Sequence, residues 1–179
     1  MSNNKISFRY AKSLFDVVKA NKTLEETIVA IYTFNKACNE NRDLVLALKS
    51  PIITGTKKSN ILKAVFTNFN SDLSNFMDMV ILKKRAGNLQ NIMKEFVNIY
   101  NAHNQILEAE VVSAIALSKD EIAQIIALLI SKTGAKKINL TEKVNPAIIG
   151  GLIIKYGDLL MDSSISSEIN NLKKALKIA

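Results

Sequence analysis

Apolar residues recur three and four positions apart through the first hundred residues, the spacing that lines one face of a helix. Ala11, Leu14, Phe15 and Val18 set a helix over residues 6–20, and Tyr10 and Val17 widen its apolar face to one side. Leu24, Ile28, Ile31, Phe34 and Cys38 mark a second helix. Thr23 reads as its N-cap, with Glu26 completing a capping box. A short third helix carries Leu44, Val45 and Leu48 and stops before Pro51, because proline pushes the preceding residue out of the helical region. Thr54–Thr56, with Gly55, reads as a turn, and Ile61, Leu62, Val65 and Phe66 give a fourth helix. Ser71 is the expected cap of a fifth, whose inner stripe is Leu73, Phe76, Met77, Val80 and Ile81 and which Gly87-Asn88 breaks. Leu89, Ile92, Met93, Phe96, Ile99 and Tyr100 give the sixth.

At Gln105 the period changes from helical to alternating. Leu107, Ala109, Val111, Ser113 and Ile115 occupy every second position, as in a half-buried strand. Ser118 to Glu121 is a capping box opening a helix with the stripe Ile122, Ile125, Ile126 and Leu129, and Gly134 is placed to end it. Ile138, Leu140 and Val144 alternate in a second strand. The run from Asn145 to Asp162 joins short apolar stretches with turn chemistry at Asn145-Pro146, Gly150-Gly151 and Gly157-Asp158. It predicts two buried strands, 147–155 and 159–162, around a tight hairpin at 156–158. Ile165, Ile169, Leu172 and Leu176 then define a closing amphipathic helix. The fold class is therefore α+β and mostly α: a six-helix bundle over 1–104, then a small α+β domain over 105–179 in the order β-α-β-β-β-α.

Composition narrows what such a chain does. With 179 residues, 48% of them hydrophobic, it can bury one large or two small cores. No stretch of eighteen uninterrupted apolar residues suggests a membrane span, and the N-terminus has no signal-peptide core. A single cysteine rules out an intramolecular disulfide and fits a reducing compartment. The formal charge of +8 raises nucleic-acid binding as an alternative. The lysines and arginines are nevertheless scattered as short runs such as Lys57-Lys58 and Lys83-Lys84-Arg85, with no interleaved aromatics, and read as solvated faces.

Catalytic vocabulary is sparse. His103 is the only histidine and has no nucleophile or orienting acid beside it in sequence, so an exposed junction residue is the better reading. Cys38 falls on an apolar stripe and reads as a small buried hydrophobe. Gly150-Gly151 lies inside an apolar strand pattern and lacks the G-x-x-x-x-G-K-S/T of a phosphate loop, so it marks a bulge or a close backbone approach. Asp158 is explained by the turn, and Asp162 with Ser163-Ser164 by capping of the last helix. No catalytic residue, metal site or cofactor is expected. One feature exceeds structural need: in the fifth helix Met79 and Leu82 lie off the inner stripe, as Tyr10 and Val17 do in the first. Either one of these helices is central to the bundle, or the pair forms a groove for a partner's amphipathic helix.

The run Asn145, Pro146, Ile148, Ile149, Gly150, Gly151, Ile154, Gly157, Asp158, Asp162 and Ser164 resembles the signature of the F-type ATP synthase delta subunit. That subunit is the bacterial counterpart of the mitochondrial oligomycin-sensitivity-conferring protein. Arg9-Tyr10-Ala11, with Leu14 and Phe15, is similar to the opening of the family's first helix. The resemblance implies a non-catalytic stator subunit, present once per complex, that links the catalytic head to the peripheral stalk and resists rotational torque. It implies that the first domain holds the N-terminal helix of an alpha subunit between its first and fifth helices, at Tyr10, Leu14, Val17, Met79 and Leu82. It implies that the second domain meets the stalk's b subunits, and that the chain sits at the cytoplasmic face of the bacterial inner membrane through the complex alone. Where many relatives read E-N-G-R-L after the fifth helix, this chain reads Lys83-Lys84-Arg85-Ala86-Gly87-Asn88-Leu89. The alternative function is a basic helical adaptor for nucleic acid or another protein.

Overall fold

Residues 2–67, 69–157 and 159–176 are described by a computed structural model, in which the chain divides into two units, Met1–Tyr100 and Asn101–Ala179. The first unit is built from α1 (Ser2–Ala20), α2 (Leu24–Glu40), α3 (Arg42–Lys49), α4 (Gly55–Val65), α5 (Ser71–Leu82) and the start of α6 (Leu89–Asn104). The helical stripes of the sequence converge on its core: Leu14, Val18, Ile31, Phe34, Leu73, Val80, Leu89, Ile92, Met93 and Phe96 are all sealed from solvent. Phe15 packs on Phe96 and Phe34 on Phe66, with ring centres 5.9 and 5.4 Å apart. Val65, placed on the inner face of α4 by spacing, is instead 55% exposed, because the chain leaves the helix there and Phe66 turns in.

The helix ends differ from the sequence reading where a better hydrogen-bond partner exists elsewhere in the fold. Thr23 precedes α2 but forms no capping box with Glu26. Its hydroxyl donates to the Asp72 carboxylate at 2.9 Å, and the Asn21 amide donates to the same group at 3.1 Å. A charged acceptor makes the stronger bond, and here it ties the end of α1 to the start of α5, so these two helices run antiparallel. Asn70, one residue before Ser71, caps α5 by accepting from the Leu73 N–H, while its amide donates to Thr27 on α2 at 2.7 Å. Gly55, expected in a turn, is the first residue of α4. The break after α5 falls at Lys83–Arg85, ahead of Gly87: Lys84 takes a left-handed φ of 58°, and Gly87 sits inside the 3-10 turn Ala86–Asn88 that leads into α6.

The second unit contains β1 (Ile106–Ser113), α7 (Lys119–Thr133), β2 (Lys137–Val144), β3 (Leu152–Tyr156), β4 (Leu159–Asp162) and α8 (Ile165–Ala175), the β-α-β-β-β-α order that the alternation implies. The strands form one mixed sheet in the order β2-β1-β3-β4. β1 and β2 are parallel, with α7 as the crossover that parallel pairing demands, and the other two pairings are antiparallel. Ala109, Val111, Ile138 and Ile154 pack with Ile125 and Leu129 of α7 to make the core. The helix is well terminated. Ser118 and Glu121 form a reciprocal capping box, and Gly134 closes the other end at φ 69°.

Two expectations for the last third are corrected. Residues 147–151 are not strand: Pro146–Ile148 form a 3-10 turn and β3 begins only at Leu152. β4 is not buried either, since it is the sheet's edge and leaves Leu159 and Leu160 60% and 63% exposed. The apolar stripe of α8 is likewise turned outward, with Ile165, Ile169, Leu172 and Leu176 all exposed.

The capping geometry makes a test. Asn70→Ala removes both the α5 cap and the tie to Thr27, and is expected to cost about 1–2 kcal/mol in urea denaturation. Ser71→Ala, at the position that spacing favours, is expected to change stability by less than about 0.5 kcal/mol.

Candidate partner-binding surfaces

On the antiparallel pair α1 and α5, the Tyr10 ring meets the edge of Phe76 at 6.3 Å. The Arg85 guanidinium also holds Tyr10 in place. It donates to the phenol oxygen at 3.0 Å and its centre lies 5.3 Å from the ring centroid, a cation–π contact. Met79 and Leu82 follow Phe76 at three-residue intervals, so they continue the same flank of α5. Phe76 is 8% exposed, Met79 38% and Leu82 79%, so the flank passes from core to surface along the helix. Val17 is half exposed on α1, on the same side of that helix as Tyr10. Leu14 is different. At 2% exposure it lies in the core and supports this flank from beneath instead of lining it. A concavity of about 890 Å³ runs along the outer face of α1 past Lys5, Phe8, Arg9 and Lys12 to Glu95, and includes only Val17 of the five expected groove residues.

In the second unit the signature residues gather around one crossing of the backbone. Asn145 accepts from the Ala147 N–H at 3.1 Å and so sets the turn that Pro146 starts. Ile149 then adopts φ 69° and ψ −42°, a conformation that a β-branched side chain strongly disfavours, and its side chain is 63% exposed. The next carbonyl, of Gly150, accepts from the Ile165 N–H at 3.1 Å, and the Leu152 carbonyl accepts from Ser163 at 2.9 Å. Between them Gly151, at φ 76°, passes so close to Ser163 that a Cβ would overlap the Ser163 carbonyl oxygen. The close approach inferred from the Gly-Gly pair is therefore real but belongs to Gly151. At Gly150 an added Cβ meets only the tip of the Ile165 side chain, at 2.8 Å.

The start of α8 is pinned from the same place. Ser164 caps the helix by accepting from the Ser167 N–H at 3.2 Å. Asp162 accepts from the Ser164 N–H at 2.9 Å and from the Ser167 hydroxyl at 2.5 Å. Those bonds, that of Ser167 foremost, hold the Asp162 carboxyl below its ordinary value. Gly157 takes φ 53° in the hairpin between β3 and β4, and Asp158 lies outside the described residues. None of this is reaction chemistry: each polar group closes a turn or a cap.

Cys38 and His103, also weighed for chemistry, lie apart from these turns, on α2 and α6. Cys38 is buried, and burial pushes its thiol up to about 11 against a weaker downward pull from Lys94, so it stays protonated and unreactive at neutral pH. His103 is exposed near the end of α6, with Nδ1 3.3 Å from the Asn104 side-chain oxygen. Among the described residues no three His, Cys, Asp or Glu side chains are grouped to hold a metal ion.

Residues 6–176 match the family described as ATP synthase delta (OSCP) subunit. The ATP synthase subunit delta of Lactobacillus johnsonii is 31% identical over 176 residues, which span 98% of this chain and 97% of the relative. That of Prochlorococcus marinus is 32% identical over 174 residues, 97% of each chain. That of Pelodictyon phaeoclathratiforme is 32% identical over 177 residues, 98% of this chain and 99% of its own. Among solved structures, a chain of the Toxoplasma gondii mitochondrial ATP synthase hexamer shares the fold with a TM-score of 0.76 at 17% identity, over 97% of this chain and 98% of that one.

Two tests follow from the crossing. Gly151→Ala is expected to destabilise the protein by more than about 3 kcal/mol, since it combines a left-handed φ with a backbone collision, whereas Gly150→Ala costs much less because a side-chain tip can move. Urea unfolding of both variants checks the order. Asp162 has a lowered folded pKa, so its contribution is complete above the usual carboxylate value and is lost as pH falls through the folded one. Asp162→Asn is therefore expected to lower stability at pH 7, and the gap to the parent protein should close as pH falls beneath the ordinary carboxylate range.

Proposed function

The chain belongs to the ATP synthase delta (OSCP) subunit family, and we propose that its two units are the two ends of a mechanical link within the enzyme's stator. It is a non-catalytic stator subunit of the F-type ATP synthase and a peripheral part of that membrane-bound complex. Among the described residues no helix is long and apolar enough to cross a membrane. In this reading the chain meets the membrane only through the complex, as one copy at the cytoplasmic face of the bacterial inner membrane.

The first unit, with the residues up to 104, grips the N-terminal helix of an alpha subunit on the catalytic head. The observation that carries this reading is the outer flank of the α1–α5 pair. Tyr10 is oriented by Arg85 and Phe76, while Val17, Met79 and Leu82 offer apolar surface that the bundle itself does not cover. An amphipathic helix laid along that flank buries those side chains, each contributing roughly 1.5–3 kcal/mol when fully covered. The second unit, residues 105–179, takes the b subunits of the peripheral stalk. Its outward-facing Leu159 and Leu160 on β4 and the stripe Ile165, Ile169, Leu172 and Leu176 on α8 support that assignment. The mechanism is static. Rotation of the central stalk exerts torque on the head, and a link with one interface on each unit keeps the head from following. The alternative, a basic adaptor for nucleic acid or another protein, finds no support in these likenesses.

Met79→Asp is the decisive variant. It removes apolar contact and places an unpaired carboxylate under the docked helix, so binding to a peptide of the alpha N-terminal segment should weaken at least about tenfold to a hundredfold. Its thermal stability should change little, because Met79 is already part exposed. Phe76→Ala, in the core, should instead cost about 3–5 kcal/mol of stability. If Met79→Asp unfolds the bundle as badly as Phe76→Ala, or binds the peptide as the parent does, the helix docks elsewhere.

A further inference from the structure

We propose that the first unit carries an oxyanion site, formed by the end of α3, the start of α4 and the segment joining α5 to α6, and that it takes a phosphate group. A cavity of about 600 Å³ opens there. Four cationic side chains from three separate segments line it, Lys49, Lys58, Lys84 and Arg85, and no aspartate or glutamate does. None of the four is paired with a carboxylate among the described residues; the salt bridges there use Lys36, Lys63 and Lys143. Arg85 also keeps its bond to the Tyr10 hydroxyl, and like charges sharing one cavity wall without a counter-charge favour an anion there.

Lys58 sharpens the point. It is only 8% exposed, and its ammonium donates to the Leu48 carbonyl at 2.7 Å, one bond for a group with three donors. A buried ammonium with a neutral partner alone is costly, and a neighbouring anion offsets that cost. The backbone adds a second source of positive potential. Thr54 and Gly55 line the same cavity at the N-terminus of α4, an eleven-residue helix with no acidic residue in its first turn. The Thr54 side chain does not cap this helix and lies instead 3.1 Å from the Thr56 hydroxyl. The first-turn N–H groups therefore have no side-chain cap, at the end of the helix where the dipole favours negative charge. Lys84, in its left-handed conformation, is the residue at which the chain turns to bring Arg85 to the same rim.

A phosphate group fits this set better than a carboxylate. It carries up to two charges on several acceptor oxygens, and so can meet cations arriving from three directions as well as backbone N–H groups. The cavity has room for more than one phosphate group. The source is inorganic phosphate or the phosphate of a small organic molecule, and the chemistry recognised is the same.

The test is a titration of the full-length, isotope-labelled protein with inorganic phosphate, with ADP and, at matched ionic strength, with sodium chloride, followed by amide chemical shifts. The expected result is saturable shifts confined to residues 50–58 and 84–88 with phosphate or ADP, absent with sodium chloride. Comparable affinities for the two probes identify inorganic phosphate as sufficient; much tighter ADP binding identifies an organic phosphate. The double variant Lys49→Gln, Lys84→Gln alters two exposed side chains, so it should fold normally and weaken the binding at least tenfold. Shifts that grow linearly with all three salts, shifts unaltered in the double variant, or saturation by a glutamate-rich peptide but by neither phosphate probe would each overturn the proposal.

Discussion

Gly151 and Ser163 lie backbone against backbone with no space for a side chain between them, and most of the second unit is arranged by that contact. The two bonds flanking it, from Ile165 to the Gly150 carbonyl and from Ser163 to the Leu152 carbonyl, fix where β3 starts and where α8 begins. β3 then aligns on β1 with Ile154 opposite Val111, which brings both into the core beneath α7. Asp162 and Ser164 convert the same crossing into a helix start. The strained Ile149 is the compensating irregularity, because the chain must reverse between the Asn145 turn and the crossing within a few residues. The scattered signature is thus one constraint seen at several positions.

How much of this can be read from sequence depends on whether a residue's role is set locally. Burial stripes are local, so the helices of the bundle and the strand–helix alternation of the second unit are legible from spacing alone. Caps are decided by competition with distant groups: Thr23 satisfies Asp72, and Asn70 displaces Ser71, because partners far along the chain offer better bonds. The end of α5 is set at Lys84, a residue whose left-handed backbone no propensity anticipates. Met79 is legible as surplus apolar surface because it lies off the stripe, whereas Leu14 lies on the stripe and is core. The basic cavity is invisible in sequence, since its cations come from three segments that look like ordinary solvated doublets until the fold gathers them.

The two units are stabilised in different proportions. Among the described residues the bundle buries twenty-three apolar residues, aided by aromatic contacts. The second unit rests on a six-residue buried cluster, with partly buried neighbours such as Leu152 and Met161. A small core leaves little reserve, and the apolar residues of β4 and α8 remain outward-facing. In the proposed stator link, the stalk subunits complete on that side what this chain's own core does not.

Strand order has a mechanical side. The chain enters the second unit through β1, directly after α6 and the single residue Gln105. β1 is an interior strand, matched over eight residue pairs with β2 and five with β3. Ladder hydrogen bonds run across the strand direction. Tension carried along the chain into this unit therefore pulls β1 lengthwise between two neighbours and loads those bonds together in shear. An edge strand such as β4 in the same position would peel, one bond yielding after another. By threading its interior strand to the incoming helix, the fold resists extension through strand order alone.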